Sequence, residues 1–184
     1  MAHVLVPLAQ GCEELEAVTI IDLLRRAGVE VTVAGLEDGP VTASRGVVLM
    51  PETTLEAVLD RDFDLVVLPG GLGGAQRLEA DQHIAALLQR MSEQGRYVAA
   101  ICAAPKVLAS AGLLKNREAT AYPGILDAQA DQAGIRLSSA AVVRDGTFIT
   151  SRGPGTAMDF ALTLIETLCG RETRGTVEAA LQRP

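Results

Sequence analysis

Cys102 lies where a strand-like segment changes into a helix-like segment, and small residues surround it. Residues 97–101 have the pattern of a short buried strand, and after Cys102 the apolar residues recur at the spacing of a helix. Alanines lie two positions before and two positions after the cysteine, as small residues do around the nucleophile of an α/β hydrolase. The pattern A-x-C-x-A therefore indicates a strand-to-helix elbow that carries a thiol.

A thiol at such an elbow has predictable chemistry. It would lie at the carboxyl edge of a parallel sheet, beside the positive N-terminus of the next helix, where Pro105 suits the first turn. We therefore expect a lowered pKa and an accessible thiolate at Cys102. The alternative is an inert cysteine in an aliphatic core, which is the commoner fate of a free cysteine.

A thiolate enzyme also needs a group that moves protons, and the first predicted helix offers an acid for this role. Gly11 is predicted to be its N-cap, with Glu13 and Glu14 as first-turn acids that favour the helix dipole. Glu16 falls on the apolar stripe that should face the sheet. If Glu16 is buried, its pKa is raised and it can donate a hydrogen bond to a thiolate. The alternative is an acid that reaches water at the start of the helix.

Strand-like and helix-like segments alternate along the chain and predict the scaffold that positions these residues. The predicted strands are residues 3–9, 30–36, 46–51, 63–71 and 97–101, with a hairpin over 141–151 that turns at Asp145-Gly146. The predicted helices are residues 13–28, a short one opened by a capping box at 53–56, 83–94, one after Cys102, and 156–170. This order predicts a doubly wound α/β fold, with a mostly parallel sheet and helices on both faces, in a single domain over residues 1–184.

Composition and charge exclude several classes of protein. The 184 residues are 48% apolar and 21% charged, as in a globular protein, and the formal net charge of −7 argues against binding to nucleic acid or anionic membranes. The N-terminus lacks a signal-peptide pattern and the three cysteines lack zinc spacing, so we expect a cytoplasmic protein with free thiols. Neither G-x-G-x-x-G nor G-K-[ST] occurs, and the two histidines form no ligand cluster, so we expect no nucleotide, metal or other cofactor.

Six segments of the chain are together similar to the ThiJ/PfpI superfamily, in the branch of the Parkinson's-disease protein deglycase. They run in matching order from the first strand to the last predicted helix, and they read GCEELEAVTIIDLLRRAG, VTVAGL, SRGV, VVLPGG, AAICAAP and TSRGPGTAMDFAL. The resemblance implies a flavodoxin-like fold and a homodimer. It makes Cys102 the reactive nucleophile and Glu16 the protonated acid that is bonded to its thiolate.

The resemblance also implies the make-up of the pocket. The backbone N–H groups of Gly70, Gly71 and Ala103 would stabilise an oxyanion. The other pocket residues that it implies are Glu13, Arg45 (reaching in from the partner subunit), Tyr122, Ser151 and Pro154. Three of them have simpler explanations: a dimer salt bridge for Arg45, a hydrogen bond at a helix entry for Ser151, and a turn for Pro154.

Two functions follow as hypotheses from the resemblance. The first is an enzyme that acts on reactive dicarbonyls, either as a glutathione-independent glyoxalase or as a deglycase of early glycated amines. The second is a redox-sensing stress protein or chaperone in which the same cysteine is oxidised to sulfinate. Peptide-bond cleavage is not expected, because Tyr122 and Ala103 occupy positions where relatives carry histidine.

Overall fold

The computed structural model describes residues 1–183, and a seven-stranded sheet lies at its centre. The strands are β1 (His3–Leu8), β2 (Glu30–Gly35), β3 (Val41–Thr42), β4 (Val48–Leu49), β5 (Thr53–Thr54), β6 (Leu65–Leu68), β7 (Tyr97–Ile101), β8 (Glu118–Ala119), β9 (Arg136–Leu137), β10 (Val142–Asp145) and β11 (Phe148–Ser151). The helices are α1 (Glu14–Arg26), α2 (Leu72–Ala80), α3 (Gln82–Glu93), α4 (Pro105–Ser110), α5 (Asp127–Ala133), α6 (Ala157–Cys169) and α7 (Arg171–Ala180). Two 3₁₀ turns add to these, Glu56–Val58 and Pro154–Thr156.

The strand order of the sheet is β10-β11-β7-β6-β1-β2-β5. Every neighbouring pair is parallel except β10 and β11, which form the predicted antiparallel hairpin. The sheet order reverses beside β1, so the segments that follow β1, β6 and β7 meet at one edge. The predicted doubly wound, mostly parallel fold is confirmed, and this edge is where such folds hold ligands.

Apolar side chains alternate between the two faces of the sheet and make two cores. In β1, Val4 and Val6 join the core that contains α1 and α6, while Leu5 joins the core that contains α2, α3 and α4. The same alternation holds in β6, where Leu65 and Val67 face the first core. Because helices cover both faces, β6 is apolar at every position and β1 is apolar from Val4 onward, as expected for a buried parallel sheet.

Three helices, α2, α5 and α7, were not predicted. The start of α2 reads LGG, and its two glycines favour a turn by intrinsic propensity. Position 74 requires glycine because the backbone of the loop after β1 packs against it. A Cβ at this position would lie 2.7 Å from Cα of Cys12. Tertiary packing thus decides the conformation of this segment.

The helix predicted from the capping box at 53–56 is wrong. Thr53 and Thr54 instead form the short edge strand β5, which pairs with β2. One 3₁₀ turn follows, and the N–H of Ala57 donates to Oγ1 of Thr54 at 3.4 Å. Pairing with the sheet edge therefore overrides the local helix signal. Within residues 1–183, the helices all fall short of the length and apolar content that crossing a bilayer requires.

Candidate active site

The chain makes a sharp turn at Cys102, between the end of β7 and the start of α4. The residue has a φ of +65°, in the left-handed region that side chains other than glycine rarely adopt. Two backbone hydrogen bonds fix it: its N–H donates to the Ser151 carbonyl at 3.0 Å, and its carbonyl accepts from the Tyr122 N–H at 2.9 Å. The flanking residues Ala100 and Ala104 are fully buried, which explains their small size. The geometry is that of the elbow which the A-x-C-x-A pattern predicts.

Glu16 lies beside the thiol and its side chain is fully buried. Oε2 accepts a hydrogen bond from the Gly70 N–H at 2.8 Å. Oε1 is buried and makes no well-formed hydrogen bond within the described part of the chain. Burial raises the pKa of this carboxyl to about 7, and the charge of Glu13 adds to that effect, against the opposing Gly70 N–H. Of the two alternatives that the sequence left open, the structure shows the buried acid.

The prediction of a lowered thiol pKa is wrong. Burial, followed by the charge of Glu16, raises the pKa of Cys102 to about 12. The N–H groups of Gly71 and Ala103 lower it by less. Helix α4 begins three residues after the sulfur and has only six residues, so its N-terminus contributes too little to offset the lost hydration of a thiolate.

Cys102 and Glu16 therefore titrate as a pair. When Glu16 holds its proton, the charge that raises the thiol pKa is absent, and the carboxyl O–H can donate to the sulfur. Loss of one proton near pH 7 leaves one negative charge on the pair, and the higher pKa of Cys102 places that charge mainly on Glu16. Formation of thiolate at Cys102 thus depends on the proton of Glu16.

Glycine at position 70 is a steric requirement of this pair. A Cβ on Gly70 would lie 2.6 Å from both Cβ of Cys102 and Oε2 of Glu16. Its N–H already donates to Glu16, so the prediction that Gly70 supplies an oxyanion donor is corrected: it positions the acid. Gly71, with a φ of +84°, and Ala103 are the residues whose N–H groups face the sulfur.

A cavity of about 710 Å³ opens in front of the sulfur, and it is larger than four other cavities of about 80 to 380 Å³ elsewhere on the molecule. Its walls include most of the residues that the sequence analysis placed at the pocket: Cys102, Ala103, Gly71, Glu13, Arg45, Tyr122 and Pro154. Glu16 and Gly70 lie directly behind this wall. The elements after β1, β6 and β7 thus bring these residues together at the expected edge of the sheet.

Two residues differ from their expected placement. Ser151 is fully buried and does not line the cavity; its Oγ donates to the Ala141 carbonyl at 2.8 Å and lies 2.7 Å from Oγ1 of Thr156. Ser151 thus makes hydrogen bonds at the entry to a helix, which is the simpler of the two explanations that the sequence analysis gave for it. Arg45 lines the cavity of its own chain, so it reaches this site without a partner subunit.

The sequence analysis missed the part that Ser44 and Glu14 play. Glu14 is the first residue of α1, so the predicted N-cap at Gly11 is two residues early, and Glu13 holds that position. The Glu14 carboxylate accepts the Arg45 N–H at 2.9 Å and so ties the 44–47 turn to α1. Ser44 Oγ donates to Oε2 of Glu13 at 2.6 Å and fixes an acid on the cavity wall. No local pattern could have shown contacts between residues so far apart in the sequence.

Neither histidine belongs to the cavity. Nε2 of His3 lies 2.9 Å from Oγ1 of Thr32 near the start of β1, and His83 lies on α3, where its N–H donates to the N-cap Asp81. Within residues 1–183, no three acidic, histidine or cysteine side chains are grouped so as to hold a metal ion.

A doubly wound sheet with a cysteine on a strand-to-helix elbow and a buried carboxylic acid beside it defines one class of α/β proteins. Comparison with known families identifies the class more closely: residues 2–167 match the model of the DJ-1/PfpI family. The chain belongs to this family, as the resemblance in its sequence indicated.

Individual relatives agree with this assignment. The chain is 46% identical over 169 residues to protein dj-1beta of Drosophila melanogaster, covering 91% of this chain and 90% of that protein. It is 43% identical to the Parkinson disease protein 7 homolog of Danio rerio, covering 96% and 95%. It is also 35% identical to the glutathione-independent glyoxalase DJR-1.2 of Caenorhabditis elegans, covering 93% and 90%.

Solved structures show the same fold. The crystal structure of Drosophila melanogaster DJ-1beta superposes with a TM-score of 0.95 at 43% identity, covering all of this chain and 98% of that one. The structure of oxidized Toxoplasma gondii DJ-1 superposes with a TM-score of 0.92 at 40% identity, covering 98% of both. The flavodoxin-like fold implied by the resemblance is confirmed.

Proposed function

We propose that this protein is a cysteine-dependent enzyme that converts reactive dicarbonyls such as methylglyoxal and glyoxal to hydroxy acids without glutathione. The observation that carries the proposal is Cys102, half-buried on the wall of a large cavity and backed by a buried acid with a pKa of about 7. A relative with 35% identity that is named as a glutathione-independent glyoxalase supports it.

In the first step, the Cys102 sulfur adds to the aldehyde carbon of methylglyoxal. A C–S bond forms, and the π electrons of the carbonyl move to its oxygen. The N–H groups of Gly71 and Ala103 face the sulfur, so they are the donors closest to the new oxyanion. Transfer of the Glu16 proton to that oxygen gives a neutral hemithioacetal.

In the second step, Glu16 acts as a base. Its carboxylate takes the proton of the carbon that is bonded to sulfur, and an enediol forms when the neighbouring oxygen is protonated. The Glu16 carboxylate then takes the hydroxyl proton of the sulfur-bearing carbon and delivers a proton to the second carbon, which gives a thioester of lactate. Water then cleaves the C–S bond, so methylglyoxal and one water become lactate without an external oxidant. A pKa near 7 suits a group that gives and takes a proton in one cycle.

Early glycated amines are a second substrate class in the same proposal. A hemiaminal releases its amine when the Glu16 carboxyl protonates the nitrogen, the C–N bond breaks and the carbon bonds to the Cys102 thiolate, and the later steps are unchanged. Peptide-bond cleavage is not part of the proposal, because a peptide carbonyl is far less electrophilic than an aldehyde and the described cavity wall contains no histidine that could activate the thiol for attack on it.

The test is lactate formation from methylglyoxal by the purified chain. We expect Cys102→Ser to lower kcat by at least about a thousandfold, because a hydroxyl beside a carboxylic acid is a far weaker nucleophile. Cys12→Ser is the matched control and should retain turnover within about threefold, because Cys12 does not line the cavity. Undiminished turnover in Cys102→Ser would refute the proposal.

A second candidate function, redox sensing, is supported by the position of the buried Glu16 carboxyl beside the Cys102 sulfur. Cys102 thiolate would attack one peroxide oxygen, releasing water and leaving a sulfenate, and a second peroxide would oxidise this to sulfinate. A protonated Glu16 could then donate to a sulfinate oxygen, which would stop the oxidation at that stage. A relative whose structure is described as oxidized is 40% identical to this chain.

Intact-mass measurement after mild peroxide tests this second function. We expect a gain of two oxygen atoms at Cys102, with Cys12 unmodified because its side chain is 1% exposed. Glu16→Gln should permit further oxidation, because the carboxyl proton is lost. Equal oxidation of all three cysteines would contradict redox sensing and leave the glyoxalase proposal intact.

We also propose that the chain forms a homodimer through an exposed apolar surface. The surface consists of Leu15, Val18, Val47, Val48 and Met50. Glu14 holds the 44–47 turn, which leads into Val48 and Met50, against the start of α1, which carries Leu15 and Val18. Such an exposed apolar patch is typical of an interface. Sedimentation should show a dimer that Val48→Lys dissociates and that Leu137→Lys, a control on another surface, leaves intact; a monomeric wild type would contradict it.

A further inference from the structure

A second cavity adjoins the catalytic cavity on the other side of the 122–124 loop. Its volume is about 280 Å³, and Tyr122, Pro123 and Gly124 line both cavities. The loop packs against the elbow, because the Tyr122 N–H donates to the carbonyl of Cys102, and Tyr122, Pro123 and Gly124 are exposed along it. A substrate larger than a free dicarbonyl could therefore occupy both cavities across this loop.

Two side chains of opposite charge line the second cavity, Arg152 and Asp127. Arg152 is half-buried, and its Nη1 donates to the Ser139 carbonyl at 3.1 Å, which fixes the guanidinium in place. Asp127 is in the first turn of α5 and has no cationic partner within residues 1–183. Neither charge is neutralised by another described side chain, so the cavity offers a cationic and an anionic contact at once.

The rest of the wall is apolar on one side. Leu126 is buried, and Leu137 is exposed beside it. A ligand with one charge only would meet repulsion from either Asp127 or Arg152, whereas a zwitterion is attracted to both. A carboxylate can also accept two parallel hydrogen bonds from a guanidinium, which a neutral group cannot do as strongly.

We propose that the second cavity binds the α-ammonium and α-carboxylate groups of a free amino acid whose side chain carries a dicarbonyl adduct into the catalytic cavity. The carboxylate would pair with Arg152 and the ammonium with Asp127. The inference rests on the proposed function and specifies its substrate class: adducts of free amino acids rather than of polypeptide chains, which lack both charges.

The probe for this inference is Nε-(2-hydroxypropyl)lysine, a stable analogue of the lysine adduct of methylglyoxal, with binding measured by calorimetry. Arg152→Gln and Asp127→Asn should each weaken binding about tenfold, the loss expected for one charge-assisted hydrogen bond. Arg152→Lys keeps the positive charge but not the paired N–H donors of the guanidinium, so it should weaken binding by less than Arg152→Gln does. Arg144→Gln, on β10 and outside both cavities, is the control and should bind as the wild type does.

A capped probe, with an acetylated α-amine and an α-methylamide, tests the zwitterion directly. It should bind the wild type at least tenfold more weakly than the free amino acid probe. Equal binding of the two probes, or unchanged binding in Arg152→Gln and Asp127→Asn, would overturn the inference.

The outcome separates this inference from the proposed function. Lactate formation from free methylglyoxal together with failed probe binding would refute the second subsite alone. Probe binding with the expected losses, but no lactate formation, would refute the glyoxalase activity alone.

Discussion

Two cysteines follow parallel strands at the same edge of the sheet, and their surroundings differ. Cys12, after β1, is 1% exposed and packs in the core beside α1, and the backbone of Gly74 closes over it. Cys102, after β7, is half-buried and lines the large cavity.

The pKa does not explain this difference, since burial raises it for both thiols, to about 11 for Cys12 and about 12 for Cys102. What distinguishes Cys102 is access to a cavity, two N–H groups that face its sulfur, and a neighbouring acid that shares its proton. In the proposed function, the reactivity of Cys102 comes from the pair and from the opening in front of it.

Alkylation with iodoacetamide gives the sharpest test of this comparison. At pH 8, we expect Cys102 to be modified at least about a hundredfold faster than Cys12, because the Cys12 sulfur is exposed only when the structure opens. Peptide mass spectrometry over time measures both rates. Comparable rates in the native protein would show that burial does not separate the two cysteines.

Gly70→Ala removes the steric fit of the pair while leaving both reactive groups in the chain. The added Cβ would lie 2.6 Å from atoms of Cys102 and Glu16, so one of them must move. We expect kcat for methylglyoxal to fall about tenfold to a hundredfold, since displacement of a reacting group by about 1 Å has an effect of this size.

The matched control for Gly70→Ala is Gly175→Ala in α7. A Cβ at Gly175 meets no atom within 4 Å, and its φ is not positive. This change should leave kcat unchanged and raise the free energy of unfolding by about 0.5–1 kcal/mol, because alanine favours a helix over glycine. Equal kcat in the two variants would contradict the steric account of the pair.

The elbow at Cys102 was predictable because the signal is local: a buried strand, small flanking residues and a proline at the first helical turn lie within one short segment. The burial of Glu16 could be predicted only in part. Its position in the helical repeat places it on the apolar stripe, but the repeat does not show whether water reaches the carboxyl group.

Other features of the site depend on contacts between distant segments, which no local pattern shows. The Arg45 N–H donates to Glu14, 31 positions earlier, and the orientation of Ser151 is set by Ala141 and Thr156. The thiol pKa was predicted in the wrong direction for the same reason: its largest causes are burial and a carboxyl on another element.

Tyr122→Phe should have the smallest effect of these changes. The resemblance implies that Tyr122 is a pocket residue, and it does line the cavity, but the residue is 53% exposed. We expect kcat for methylglyoxal to change by less than about threefold, measured as lactate formed per active site. A loss of tenfold or more would make the phenol a catalytic group and the Cys102–Glu16 pair incomplete without it.

The central claim is that Cys102 and Glu16 share one proton, and the pH dependence of Cys102 alkylation tests it most directly. In the wild type, the rate should rise in a one-proton step at or below about pH 7, where the pair loses its first proton. Glu13→Gln, which removes a charge that raises the Glu16 pKa, should leave this step in place or move it slightly lower. Glu16→Gln should move the step to higher pH, because the sulfur then loses the carboxyl proton that favours its negative charge. A profile in Glu16→Gln that matches the wild type, or one shifted to lower pH, would contradict the account.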